Sequence, residues 1–281
     1  MSLKNIKLIV TDLDGTVLEH GKLANDLDVE VFKQANQKGV YTTIATGQPY
    51  ISAKSKADLF NVADHVDLFV LSNGSLISKV SEFDPIYINS IPSDIVNKVV
   101  KKLTDLNVCA VIFTATINDV YWNNISFTVE SMNKRNWFER FNKTICSTNT
   151  DFDFKNVVQI MSFVEQEKEQ ELQSWFVQEN MNQYLTFMKS DIESMPVYEF
   201  TNITATKGNA IEKMAEILNI KKDEIAIFGD NINDISMFEK IPNCVAVGNA
   251  VDEIKHKAKY ITDTNLNGGV GKFIKKYILE D

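Results

Sequence analysis

Ile6-Lys7-Leu8-Ile9-Val10-Thr11-Asp12-Leu13-Asp14-Gly15-Thr16 is the stretch that decides how this chain folds. Its first half is a short β-branched run with no polar alternation, the texture of a strand buried on both faces of a parallel sheet. Its second half places two carboxylates directly after that strand. In open parallel sheets, functional groups gather beyond the carboxyl ends of the strands, where strand order reverses. Residues one apart on an extended strand point in opposite directions, but Gly15 lets the chain turn at once, so that Asp12 and Asp14 can face one pocket. A plainer reading also fits this segment alone, since Asp-Gly is a frequent turn dipeptide and charged residues often end strands.

Working outward, Leu27, Val31, Phe32 and Ala35 recur at helical spacing, and Gly39 supplies a stop. Strands are expected at Val40–Ala45 and Val66–Leu71. The same alternation returns near the C-terminus, with an amphipathic helix marked by Ala210, Ile211, Met214, Ala215 and Leu218. Strands follow at Ile225–Phe228 and Val245–Val247, with an edge strand at Tyr260–Thr262. Alternating strands and helices imply a parallel sheet with right-handed crossovers. Between the halves the texture becomes rich in Asn and Phe, with Pro85, Pro92 and Pro196 near its ends. Helical Ile95–Leu103 alternates there with strands at Val108–Phe113 and Val157–Phe163. The expected fold is therefore α/β, a Rossmann-like parallel-sheet core at 1–83 and 201–281, with an α+β domain inserted at 84–200.

Composition narrows the function. The 281 residues carry 29 basic and 38 acidic side chains, a formal charge of -9. That balance argues against nucleic acid as a partner, which needs basic surface to displace counterions. No window approaches the ~18 uninterrupted apolar residues of a spanning helix, so no membrane partner is expected. Cys109, Cys146 and Cys244 are scattered and read as reduced, buried residues, and the three histidines form no zinc motif. The N-terminal residues lack a signal-sequence pattern, which makes the cytoplasm the expected location.

A second acidic cluster, Gly229-Asp230-Asn231-Ile232-Asn233-Asp234, also follows an apolar strand and leads towards a helix through Met237. Three or four carboxylates converging on one sheet edge repel one another, and a hard cation resolves the conflict. Magnesium suits a few carboxylates, waters and a substrate phosphate. Thr46-Gly47, after the second strand, offers a hydroxyl and backbone N–H groups to a phosphate oxygen, although a plain turn would look the same. Lys207-Gly208 lies just before the helix at 210–218. An isolated lysine is ordinarily a solvated charge, but here it would enter an acidic site and neutralise both a nucleophile and a phosphate.

Taken in order, Asp12-x-Asp14-Gly15-Thr16, Ala45-Thr46-Gly47, Lys207-Gly208 and Gly229-Asp230-x-x-Asn233-Asp234-x-x-Met237 resemble motifs I to IV of the haloacid dehalogenase superfamily. The inserted domain resembles the C2B-type cap of its Cof-like phosphatases. Asn73-Gly74, Gly248-Asn249-Ala250 and Asn267-Gly268-Gly269-Val270 are similar to further segments of that subgroup. Gln48 departs from it, since Arg commonly follows Ala-Thr-Gly.

The resemblance implies a magnesium-dependent phosphatase of small phosphorylated metabolites, sugar phosphates or similar. Asp12 would attack phosphorus and form an aspartyl-phosphate, and Asp14 would protonate the leaving alcohol and then activate water, which asks for a raised pKa. Magnesium would bind the Asp12 carboxylate, the Asp14 backbone carbonyl and Asp230, with Asp234 steering a bound water. Thr46, Gly47, Asn233 and Lys207 would hold the transferring oxygens, and Thr16 would support the loop. The cap would exclude water and choose the substrate. Trp122, Phe127 and Trp137 could line its leaving-group pocket or lie in its own core. Two alternatives share these residues: a phosphomutase, which would need a second phosphate site in the cap, and a catalytically silent metabolite-binding module, which has no need of the repelling pair Asp12 and Asp14.

Overall fold

The structure, a computed structural model, describes residues 3–60, 68–79, 81–116, 120–125, 143–146, 153–192 and 195–280. Val66 and Asp67 of an expected strand, and the aromatics Phe127 and Trp137, lie outside the described residues. The chain divides into two compact units, Met1–Ile86 with Thr206–Asp281, and Tyr87–Ala205.

In the first unit, β1 (Leu8–Thr11), β2 (Tyr41–Ile44), β3 (Ile225–Gly229), β4 (Asn243–Ala246) and β5 (Tyr260–Ile261) form one parallel sheet. Their order is β5-β4-β3-β1-β2. All of β1, β3 and β4 is buried, which is why Leu8–Val10, Ile225–Phe228 and Cys244–Ala246 read as apolar runs rather than alternating ones. The chain leaves β1 towards β2 on one side and later returns to β3 on the other, so strand order reverses beside β1. Register then sets the level of the site. Thr11 pairs with both Ile44 and Phe228, so the residues after β1, β2 and β3 emerge together at the carboxyl ends. Phe69–Leu71 continues this side, with Ala45 bridging to Val70.

The helices start where side chains satisfy their orphan N–H groups. α1 (Asp26–Gln37) is capped by Asn25, whose side chain accepts the Leu27 N–H, and it buries Val31, Phe32 and Ala35. α2 (Lys207–Leu218) is capped by Thr206, whose hydroxyl accepts the Asn209 N–H at 3.1 Å. Lys207 and Gly208, which the apolar spacing put ahead of the helix, are therefore its first turn. Gly208 lies against α3 (Ile235–Lys240), where a Cβ would fall 2.1 Å from the Ser236 carbonyl oxygen. α4 (Gly269–Ile274) packs on α1. No helix among the described residues is long and apolar enough to cross a membrane.

The second unit is an α+β layer. Its sheet runs Lys143–Ile145, Val120–Trp122, Cys109–Thr114, Val157–Phe163, Met195–Asn202, Leu185–Ile192, antiparallel except at the first pair. Helices Ser93–Asp105 and Gln166–Gln178 bury Ile95, Val99, Leu103, Leu172 and Phe176 in one cluster with Ile112, Ile160 and Phe200. Trp122 spends its indole N–H on the Ile125 carbonyl at 2.9 Å.

One buried charge in the first unit carries a stability prediction. Asp28 is fully buried; its Oδ1 accepts the Gly271 N–H at 2.7 Å, and its Oδ2 has no hydrogen-bond partner among the described residues. Burial pushes its carboxyl up to about 7, against the opposing pull of the Gly271 N–H. The unfolded chain releases this proton near pH 4, whereas the folded chain keeps it until near pH 7. The contribution of Asp28 to stability is thus complete below pH 4 and is lost as pH rises through 7. Asp28→Asn removes this dependence, so the variant should gain on the native protein by about 2–3 kcal/mol between pH 5 and pH 8. Urea denaturation of both proteins across that range checks it; a constant difference would refute the assignment.

Candidate active site

Asp12 follows β1 and donates its N–H to the Phe228 carbonyl at 3.0 Å, which seats it beside the end of β3. The chain then folds back on itself, with the Leu13 carbonyl accepting the N–H groups of Val17 and Leu18. Gly15 takes φ +88°, and a Cβ there would fall 2.4 Å from Asp230 Oδ2, so both conformation and space require glycine. Thr16 Oγ1 donates to Asp230 Oδ1 at 2.7 Å.

The turn after β3 is organised by Asp234. Its Oδ2 accepts the N–H groups of Asp230 at 2.9 Å and Asn231 at 3.1 Å. Its Oδ1 accepts from Lys207 Nζ at 2.6 Å, and the same ammonium donates to Asp12 Oδ1 at 2.5 Å. Lys207, Asp234 and Asp12 are all buried. Ligand atoms of Asp12, Asp230 and Asp234 lie within 4.8 Å of one another.

One ammonium does not balance three carboxylates. Burial opposes the charge of Lys207, yet Asp12 and Asp234 more than offset it and hold its pKa above the usual lysine range. Burial pushes Asp12 well above the usual carboxylate range, and Asp234 and Asp230 add to the rise against the pull of Lys207. Asp230 is pushed up to about 6 by burial and by Asp234, against the Thr16 hydrogen bond. The trio therefore holds more negative charge than its surroundings compensate, all of it on oxygen atoms. That is the donor set of a hard divalent cation.

The Asp14 carboxylate stands outside this trio. It is exposed, and its Oδ2 accepts from Gln48 Nε2 at 2.5 Å. Where four carboxylates could have crowded one point, three do, because the turn at Gly15 carries Asp14 towards the loop after β2. Thr46 is buried at the start of that loop, its N–H on the Val70 carbonyl and its hydroxyl accepting the Gln48 N–H at 3.2 Å. Gly47 lies against Asn73, whose Oδ1 a Cβ would approach to 2.8 Å. Asn233 is half-buried on the Ile232–Asp234 turn. Thr46 and Asn233 are not hydrogen-bonded to the trio among the described residues. The sequence shows Gln48 only as the absence of a cation and carries no signal of its contact with Asp14.

Comparison with known proteins agrees with this architecture. The haloacid dehalogenase-like hydrolase family model matches residues 9–274. The 5-amino-6-(5-phospho-D-ribitylamino)uracil phosphatase YcsE of Bacillus subtilis is 27% identical over 98% of this chain and 97% of its own. YitU of the same organism, also a 5-amino-6-(5-phospho-D-ribitylamino)uracil phosphatase, is 24% identical over 96% of this chain and 97% of its own. Among solved structures, a haloacid dehalogenase-like hydrolase from Bacteroides thetaiotaomicron superposes with a TM-score of 0.80 at 20% identity, covering 96% of this chain and 99% of that one. One from B. subtilis gives 0.76 at 22%, covering 97% and 100%.

Proposed function

Since the chain belongs to the haloacid dehalogenase-like hydrolases, we propose that it hydrolyses phosphate monoesters of small metabolites with magnesium and through an aspartyl-phosphate on Asp12. It is a phosphoric monoester hydrolase, in line with its phosphatase relatives. The observation that carries the finer reading is the buried group of Lys207, Asp12 and Asp234 beside Asp230, at the point where strand order reverses.

Asp12, Asp230 and the Asp14 backbone carbonyl would hold the magnesium ion, with Asp234 beside them. When bound, the ion supplies positive charge that lets an anionic nucleophile and an anionic phosphoryl group approach. Lys207 fixes the Asp12 carboxylate by its Oδ1. Two of its three N–H donors are spent on Asp12 and Asp234, and the third can take a phosphoryl oxygen. Thr46, Gly47 and Asn233 would bind the remaining oxygens. Asp12 attacks phosphorus, the bond to the ester oxygen breaks, and Asp14 gives that oxygen its proton. The Gln48 side-chain contact with Asp14 Oδ2 would hold the carboxyl in place for this transfer. Asp14 then removes a proton from water, which attacks the aspartyl-phosphate and releases phosphate. The second unit carries none of these groups; as a C2B-type cap its part would be substrate selection. The 5-amino-6-(5-phospho-D-ribitylamino)uracil for which YcsE and YitU are named belongs in any substrate panel.

The test is phosphate release from p-nitrophenyl phosphate after exhaustive chelation. Turnover should be lost without divalent cations and restored by magnesium, and calcium should support it poorly, because its looser coordination misplaces the nucleophile. Full activity in metal-free protein would overturn the reading.

A further inference from the structure

Gly248-Asn249-Ala250-Val251 follows β4, well away in sequence from both acidic loops, yet it touches each of them. Asn249 Nδ2 donates to the Gly15 carbonyl at 2.7 Å, and the Val251 N–H donates to the Asp230 carbonyl at 2.9 Å. The segment is itself anchored. The Gly248 N–H is on the Asp263 carbonyl at 2.9 Å, and a Cβ on Gly248 would fall 2.9 Å from the Thr264 nitrogen. Asn249 Oδ1 accepts the Asn265 N–H at 2.9 Å, and the buried Asn265 side chain donates to Glu19 Oε2 at 2.7 Å.

Both amide roles of Asn249 are thus assigned: its oxygen is held by one loop, so its N–H₂ group must face Gly15. The Gly15 carbonyl belongs to the peptide that joins Gly15 to Thr16, and the Thr16 hydroxyl holds Asp230. Fixing that peptide therefore fixes the turn bearing Asp12 and Asp14 and its contact with the second acidic loop. We infer that Asn249 is a positioning residue, and that Gly248–Val251 braces the Asp12–Thr16 turn against Asp230. Its metal and activity consequences rest on the phosphatase reading; the brace itself does not.

Asn249 is exposed, so its replacement should leave the fold intact. Asn249→Ala removes the donor. Asn249→Asp keeps the shape but sets a carboxylate against a carbonyl. Both should lower kcat on p-nitrophenyl phosphate and weaken calorimetric magnesium affinity by about 10- to 100-fold, as loss of an outer-sphere partner does, with KM nearly unchanged. Amide exchange in a peptide covering residues 13–18 should quicken in both variants, while melting temperature barely moves. Native magnesium affinity together with native exchange in both variants would overturn the brace. If the native protein itself releases no phosphate with magnesium, the phosphatase reading fails, and the exchange of residues 13–18 still decides the brace.

Discussion

Asp12→Asn is expected to abolish turnover, lowering kcat by at least about 10,000-fold, while the protein stays folded. Asparagine preserves the size of the side chain and keeps an oxygen for Lys207, but it has no charge with which to attack phosphorus. The folded state should tolerate the change well. The Asp12 carboxylate is buried, and Asp230 and Asp234 push its pKa up further against Lys207. Removing its charge lowers the repulsion within the trio rather than stranding a partner, since Lys207 keeps Asp234. The melting temperature should therefore match or exceed that of the native protein. The companion measurement is on the native enzyme, where acid quenching during turnover should leave a phosphoryl group on the peptide containing Asp12. Substantial turnover by a folded variant free of contaminating phosphatase would remove Asp12 from the nucleophile's place.

How much of this could be read from the residues alone depends on how local each signal is. The apolar run before Asp12 and the one before Asp230 announce strands, and a carboxylate after a buried strand announces a sheet edge. Such signals lie within a few neighbouring residues. The apolar spacing begins only at Ala210, whereas α2 itself begins at Lys207, where Thr206 caps it. Capping is a matter of hydrogen bonds and leaves only a faint trace in periodicity. Contacts between distant segments leave none. Thr16 with Asp230, Gln48 with Asp14 and Asn249 with Gly15 each join loops that only the sheet order brings together. The burial of Asp28 likewise follows from α4 packing on α1, two elements from opposite ends of the chain.

Lys207→Met should have the largest effect on stability of any single substitution in the site. The native ammonium is fully buried and binds two carboxylates. Methionine fills much the same volume but leaves Asp12 and Asp234 buried without a counter-charge, and breaking a buried pair in this way costs about 3–5 kcal/mol. The damage extends beyond the pair. Asp234 also holds the Asp230 and Asn231 N–H groups, so a displaced or protonated Asp234 loosens the turn that carries Asp230. Turnover should fall by a factor of about 1,000 or more, because fixation of the nucleophile and a phosphate contact are lost together. Divalent cations separate this account from simple misfolding. The variant has lost the ammonium that Asp12 and Asp234 share, so a cation that binds the folded state should restore stability by mass action. Added magnesium should thus raise the melting temperature of Lys207→Met more than that of the native protein. Calorimetric melts of both proteins, with and without magnesium, provide the comparison. A metal-free variant within about 1 kcal/mol of native stability would show that Lys207 does not carry the charge balance of the site.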